Sequence, residues 1–250
     1  MNSFSLKNKT ILITGASSGI GEACAIECDK HGASLLLLGR DEKRLNNTLG
    51  KLSNQGHRIL SVDLINFENL GNDLNIFLDG INDIDGVINS AGITSTLPFK
   101  IFKPNQLENI LNINVTASFF LTKLLLPKLN KKGASIVFLS SVMANFGEKA
   151  KTMYSISKGA VSAGSRSLAL EYSSKKIRVN TVAPGIVNTP MTKNSTYKQN
   201  KELYAKTLEK YPLGFGEPSD VANVCVFLVS NASKWITGSE IVIDGGYSAR

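Results

Sequence analysis

Short apolar runs alternate along the chain with longer stretches of mixed polarity. The runs are ILIT (11–14), SLLLLG (34–39), RILSV (58–62), GVINS (86–90), SIVFLSS (135–141), IRVNTVA (177–183) and EIVID (240–244). Their apolar positions are mostly continuous rather than alternating, as in strands covered on both faces, so they predict a seven-stranded parallel sheet. Helices are expected between them at about 19–31, 41–54, 105–130, 153–174 and 218–230. The last opens on Pro218 and Ser219, a residue suited to a first helical turn and a capping residue. This alternation predicts a doubly wound α/β fold of Rossmann-like type with helices on both faces. No Pro- or Ser-rich linker and no repeat divides the sequence, so residues 1–250 are expected to form a single domain. The polar, Lys-rich segment at about 188–212 is expected to be a flexible flap.

Composition narrows the function classes. Apolar residues make up 42% of the 250 positions and charged residues 19%, enough for a substantial core and too little charge for disorder. Runs such as Ile11 to Ile13 and Leu35 to Leu38 are strand-sized and fall short of the ~20 residues a membrane helix needs. Residues Met1 to Thr10 contain no signal-type apolar block, so a cytoplasmic protein is expected. The three cysteines are odd in number, and Cys24 and Cys28, four apart, are expected on one helix face as small core residues. With only His31 and His57 beside them, neither a disulfide framework nor a metal site is expected. The net charge of +8 comes from dispersed lysines, loosely grouped at Lys123, Lys128, Lys131 and Lys132, which reads as solvated surface rather than a nucleic-acid interface.

Two local patterns carry chemistry. TGASSGIG (14–21) follows a strand and opens a helix, placing Gly15, Gly19 and Gly21 where a dinucleotide loop must turn tightly and admit a pyrophosphate. Ser17, Ser18 and the first helical N–H groups can donate to phosphate oxygens at the positive end of the helix dipole. The second strand ends in Gly39-Arg40, where a carboxylate would favour NAD(H) by accepting from the ribose hydroxyls. Arg40, with Lys43 and Arg44 nearby, suits a 2′-phosphate, so NADP(H) is expected, and Asp41 is read as a cap for the next helix. Further along, Tyr154 and Lys158 lie four apart near a helix start and share a face. A tyrosine titrates near pH ~10, so acid–base work at neutral pH calls for a neighbouring cation. Ser141, at the end of its strand, can hold a carbonyl or alkoxide oxygen beside the phenol.

With TGASSGIG (14–21), Asp63-Leu64, NSAG (89–92), NVTA (114–117), Ser141, YSISK (154–158), PGIVNT (184–189) and TGSEIVIDGG (237–246), the sequence resembles the short-chain dehydrogenase/reductase family from Lys9 to Tyr247. The resemblance implies a dinucleotide-binding and catalytic domain that interconverts carbonyl and alcohol. It implies Tyr154 as general acid–base, Lys158 lowering its pKa and holding the nicotinamide ribose, and Ser141 positioning the substrate oxygen. Asn114 is the implied fourth member, with Asn112 a competitor two residues away. Implied cofactor contacts are Gly15, Ser17, Ser18, Gly19, Ile20 and Gly21 in the loop, Arg40 at the phosphate, and Asp63 and Leu64 at adenine. Asn89, Ala91 and Gly92 are implied near the ribose, and Pro184, Gly185, Val187 and Thr189 near the nicotinamide. Ser90 departs from the family, which usually carries a second Asn there.

Within the family the chain is most like the 3-oxoacyl-(acyl-carrier-protein) reductases, with sugar or polyol dehydrogenases an alternative. A non-catalytic cofactor-binding protein is a reading of another class, disfavoured by the retained Tyr and Lys. The resemblance also implies a possible acyl carrier protein partner, with Lys132 and Lys175 as its docking residues, and a homo-oligomer, dimer or tetramer, packed through helices 105–130 and 153–174. Substrate choice is expected to lie in the segment 188–212 and the loop 93–104.

Overall fold

The computed structural model describes residues 2–193 and 195–249. Seven parallel strands form one sheet: β1 (Thr10–Thr14), β2 (Ser34–Gly39), β3 (Arg58–Ser61), β4 (Gly86–Asn89), β5 (Ala134–Leu139), β6 (Ile177–Pro184) and β7 (Glu240–Ile243). Their order is β3-β2-β1-β4-β5-β6-β7. All seven expected strands are present, each within two residues of its expected limits. Successive side chains of a strand face opposite sides of the sheet. Thus Ile11, Ile13, Leu35, Leu37 and Val137 enter one apolar core, while Leu12, Leu36, Leu38, Ile136 and Phe138 enter the other.

The first core is covered by α1 (Gly19–Lys30) and a late helix at Pro218–Val229, where Cys24, Cys28 and Cys225 are all buried. Between β2 and β3 lies α2 (Glu42–Leu49), shorter than expected because the chain after it turns to meet Asp29 at the end of α1. The buried Asp29 carboxylate accepts from the Ser53 and Asn54 backbone amides, the Asn54 side chain and the His57 ring. These donors hold its pKa below the ordinary carboxylate value despite burial.

On the other face, α3 (Leu70–Phe77) was not expected from the sequence; it buries only Leu70 and Leu74. The expected helix 105–130 is in fact three pieces. α4 (Pro104–Leu111) and α5 (Ala117–Leu125) are joined by a π turn over Asn112–Thr116. By length and composition alone the run Pro104–Lys128 is long and apolar enough to cross a membrane, contrary to expectation. Here it lies against the sheet, with Leu121 and Leu125 in the second core and Asn114, Ser118 and Thr122 buried and hydrogen-bonded. α6 (Thr152–Tyr172) follows β5 as expected. In the segment 188–212, where a flexible flap is expected, the described residues include α7 (Pro190–Lys193), α8 (Thr196–Gln199) and α9 (Lys201–Leu208), before α10 (Pro218–Val229).

Candidate active site

In an open parallel sheet, ligands bind beyond the carboxyl ends of the strands where the order reverses, here between β1 and β4. Thr14, the last residue of β1, ties the two strand ends together: its hydroxyl accepts from the Ser90 and Ala91 amides at 3.1 and 3.0 Å. Gly15 follows at φ +65°, and a Cβ there would lie 3.0 Å from the Ala91 backbone. Beyond these ends opens a cavity of about 930 Å³.

Most of the expected site residues line this cavity. From the glycine loop come Gly15, Ser17, Ser18, Gly19 and Ile20, and from the tip of β2 come Arg40, Asp41 and Arg44. Asp63 and Leu64 follow β3, Ala91 and Gly92 follow β4, and Pro184, Gly185, Val187 and Thr189 lie at and after the end of β6. Ser141, Tyr154 and Lys158 complete the wall. Three expected residues do not line it. Gly21 is buried in the first turn of α1, where a Cβ would meet the Gly15 carbonyl oxygen at 2.3 Å. Its place is explained by helix-to-turn packing, and Gly21→Ala is expected to cost ~1–3 kcal/mol of stability through that overlap. A thermal midpoint equal to that of the parent chain would contradict this. Asn89 is the second; it is buried and its amide donates to Thr122 at 3.2 Å.

Asn114 is the third residue outside the wall. The π turn carries it inward, where its oxygen accepts from the Ile93 amide at 2.8 Å and its nitrogen donates to the Ile93 carbonyl and the Ser157 hydroxyl, each at 3.0 Å. A Cβ at Gly92 would sit 3.1 Å from the Asn114 oxygen and 3.7 Å from the Lys158 ammonium, so Asn114 lies directly behind the cavity wall. Asn112, its competitor, is exposed.

The two ends of the cavity have different chemistry. At the α1 end, Ser18 stands at the N-cap but its side chain makes no capping bond, which leaves its hydroxyl for a ligand. Asp41 caps α2 as expected: it accepts from the Arg44 amide at 3.0 Å and pairs with the Arg44 guanidinium at 3.3 Å. Arg40 forms no ion pair among the described residues.

At the α6 end, Tyr154 lies near enough to Ser141 to feel its hydroxyl, which itself donates to the Pro184 carbonyl at 3.5 Å. The Ser141 oxygen also accepts from the Met143 amide at 3.2 Å, which fixes the hydroxyl at the turn after β5. Burial pushes the Tyr154 phenol above its ordinary value, and the Ser141 contact pulls it part of the way back. Lys158 is 6% exposed; its ammonium donates to the Leu139 carbonyl at 2.6 Å and lies 5.8 Å from the Tyr154 ring centroid. Burial lowers its pKa from 10.5 to about 8. A second lysine, missed in the sequence, approaches the same ring: the Lys151 ammonium stands 5.7 Å from its centroid and also lines the cavity. The available signal was its place three residues before Tyr154, a spacing that shares a helix face.

A family model described as Enoyl-(Acyl carrier protein) reductase matches residues 15–248. The chain is 34% identical over 244 residues to the 3-oxoacyl-(acyl-carrier-protein) reductase FabG of Rickettsia prowazekii, covering 96% of this chain and 97% of that protein. The chain belongs to the short-chain dehydrogenase/reductase family. It is also 33% identical over 250 residues to Oxidoreductase UcpA of Salmonella typhimurium, with 96% and 95% of the two chains covered. Among solved structures, a short-chain type dehydrogenase/reductase from Mycobacterium marinum superimposes with a TM-score of 0.88 at 28% identity, covering 100% of this chain and 99% of that one. This short-chain dehydrogenase/reductase is therefore an oxidoreductase with a Rossmann-like sheet.

Lys132 and Lys175, expected as carrier-docking residues, are both exposed, but they precede β5 and β6. They therefore lie at the amino ends of the strands, across the sheet from this chain's own cavity.

Proposed function

We propose that the chain is an NADP(H)-dependent oxidoreductase that interconverts a carbonyl and an alcohol, with residues 1–250 acting as one dinucleotide-binding and catalytic domain. The observation that carries the reading is the meeting of Tyr154, Ser141 and Lys158 in the wall of the same cavity that holds the glycine loop. The cavity fits a dinucleotide: Gly15 and Gly19 hold positive φ, and added Cβ atoms there would press on the Ala91 backbone and the Thr189 side chain. Gly15, Ser17, Ser18, Gly19 and Ile20 would hold the phosphates at the start of α1, Asp63 and Leu64 the adenine, and Ala91 and Gly92 the ribose. Pro184, Gly185, Val187 and Thr189 would border the nicotinamide. NADPH, when bound, supplies the hydride for the carbonyl carbon.

The protein's own residues supply the proton and the geometry. Tyr154 and Ser141, both in the cavity wall, would offer their hydroxyls to one substrate oxygen. The phenol, held protonated by burial, gives its proton to that oxygen as the alcohol forms. The Lys158 ammonium beside the ring stabilises the phenolate left behind. Asn114, fixed by Ile93 and Ser157 behind Gly92, orders the path by which Tyr154 is reprotonated from solvent.

Cofactor choice rests on Arg40. Asp41 is committed to Arg44 and the α2 cap, which supports the guanidinium of Arg40 as the group that would meet a 2′-phosphate. Arg40→Ala is expected to weaken NADPH binding about 10- to 100-fold while changing NADH binding little, as the loss of a charge-assisted contact implies. Fluorescence titrations with both cofactors test it, and equal losses for the two would reject the assignment.

The FabG relatives support a 3-oxoacyl group carried as an acyl-carrier thioester. Turnover of a 3-oxoacyl N-acetylcysteamine thioester with NADPH tests that substrate. A second reading, a small free oxo acid, is favoured by Lys151. A homo-oligomer packed through α5 and α6 accords with the apolar Phe119, Leu126 and Leu168, which stand partly exposed around a groove between these helices.

A further inference from the structure

Lys151 reaches its position by an unusual route. It directly precedes α6, and the residue before it, Ala150, holds φ +60°, a left-handed conformation that costs a residue with a Cβ roughly 1–2 kcal/mol. Strain of this kind persists where the surroundings impose it, and here the Ala150 carbonyl accepts from the Leu97 amide at 2.8 Å. That bond joins the turn to the loop after β4. The same loop sends Thr94 and Thr96 to the Lys151 ammonium, their hydroxyls accepting at 3.2 and 2.5 Å.

An ammonium has three donors, and the threonines take two of them. The Lys151 ammonium has no carboxylate within ion-pair distance among the described residues; Glu148, the nearest acid in its turn, pairs with Lys210 at 3.3 Å. A partly buried lysine thus lines the cavity 5.7 Å from the Tyr154 ring, aimed by two threonines and without an ion pair among the described residues. Burial lowers its pKa, and the charge of Glu148 raises it part of the way back.

We infer that Lys151 is the specificity-determining residue for a carboxylate on the substrate. It would select free oxo acids, or the hydroxy acids they yield, whose carboxylate lies only a few bonds from the reacting carbonyl. The inference rests on the reading that Tyr154 holds the reacting oxygen, because the closeness of Lys151 to that ring sets the separation. An acyl-carrier thioester has no charge there, and the phosphate of its pantetheine arm lies too many bonds from the oxo group to reach this ammonium.

Binding to the protein saturated with NADP⁺ tests the inference without turnover, since a ketone and the oxidised cofactor cannot react. Calorimetry with acetoacetate and methyl acetoacetate compares an acid with its neutral ester. The unaltered chain is expected to bind the acid about 10- to 100-fold more tightly than the ester. Lys151→Gln should bring that ratio to about one, and Lys151→Arg should keep part of it. Equal affinities in the unaltered chain, an acid that does not bind, or a ratio untouched by Lys151→Gln would overturn the inference. Failure of the Tyr154 reading is seen separately, as turnover that survives loss of the phenol.

Discussion

Tyr154→Phe is expected to lower kcat for carbonyl reduction by about 10³- to 10⁴-fold while leaving NADPH affinity within about threefold. The substitution keeps the ring between Lys151 and Lys158, at 5.7 and 5.8 Å from the two ammonium groups, and removes only the hydroxyl. What is lost is the proton donor and one of two donors on the substrate oxygen. Because that oxygen gains charge only as the hydride arrives, the deficit should fall on kcat more than on KM. Steady-state kinetics with a 3-oxo ester, alongside a fluorescence titration with NADPH, separates the two. Turnover within tenfold of the parent chain would remove Tyr154 from the chemistry.

The second large effect is expected to have opposite signs for activity and stability. Lys158→Met should abolish measurable reduction yet raise the thermal midpoint of the cofactor-free protein at pH 7. The ammonium is buried, and its pKa falls from 10.5 to about 8 on folding. Keeping it charged in the fold therefore costs on the order of 2–3 kcal/mol, which methionine avoids. The Leu139 carbonyl, left without its 2.6 Å donor, returns about 1 kcal/mol of that. The balance corresponds to a rise of roughly 3–6 °C for a chain of this size. Between pH 8 and 10.5 the unfolded chain still holds the Lys158 proton while the folded chain has released it. Raising the pH through that window thus stabilises the parent fold, and the advantage of the methionine variant should shrink across it. Calorimetric scans at pH 7 and pH 10 measure both effects; a variant less stable than the parent at pH 7 would refute the argument.

The sheet was legible because each strand is a compact apolar run bounded by glycine or polar residues, and parallel pairing needs no further information. Helix α3 was not legible, since Leu70 and Leu74 alone are buried and the rest of LGNDLNIF is largely polar or exposed. The division of 105–130 was hidden for the opposite reason. ILNINVTASFFL has helical spacing throughout, and nothing local marks a widened turn; Asn114 is drawn inward by Ile93 and Ser157, 21 and 43 residues away. At the site, Gly15, Ser141, Tyr154 and Lys158 stood out because residue type and spacing imply chemistry. Gly21 and Asn89 carried the same signals but lie outside the cavity lining, Gly21 in its 2.3 Å approach to Gly15 and Asn89 bonded to Thr122. Lys151 carried only its spacing from Tyr154 as a signal, since its partners Thr94 and Thr96 lie 57 and 55 residues away.

The π turn at Asn112–Thr116 can also be seen as an insertion. A π turn is an α-helix holding one residue too many, and removal of one would let α4 run unbroken into α5. The widened turn absorbs the surplus residue, so such a deletion would leave the faces of α4 and α5 where they are, with Ile110, Leu121 and Leu125 still buried. What would be lost is the bulge itself: the surplus residue is confined to the one turn where Asn114 leaves the helical path to meet Ile93 and Ser157.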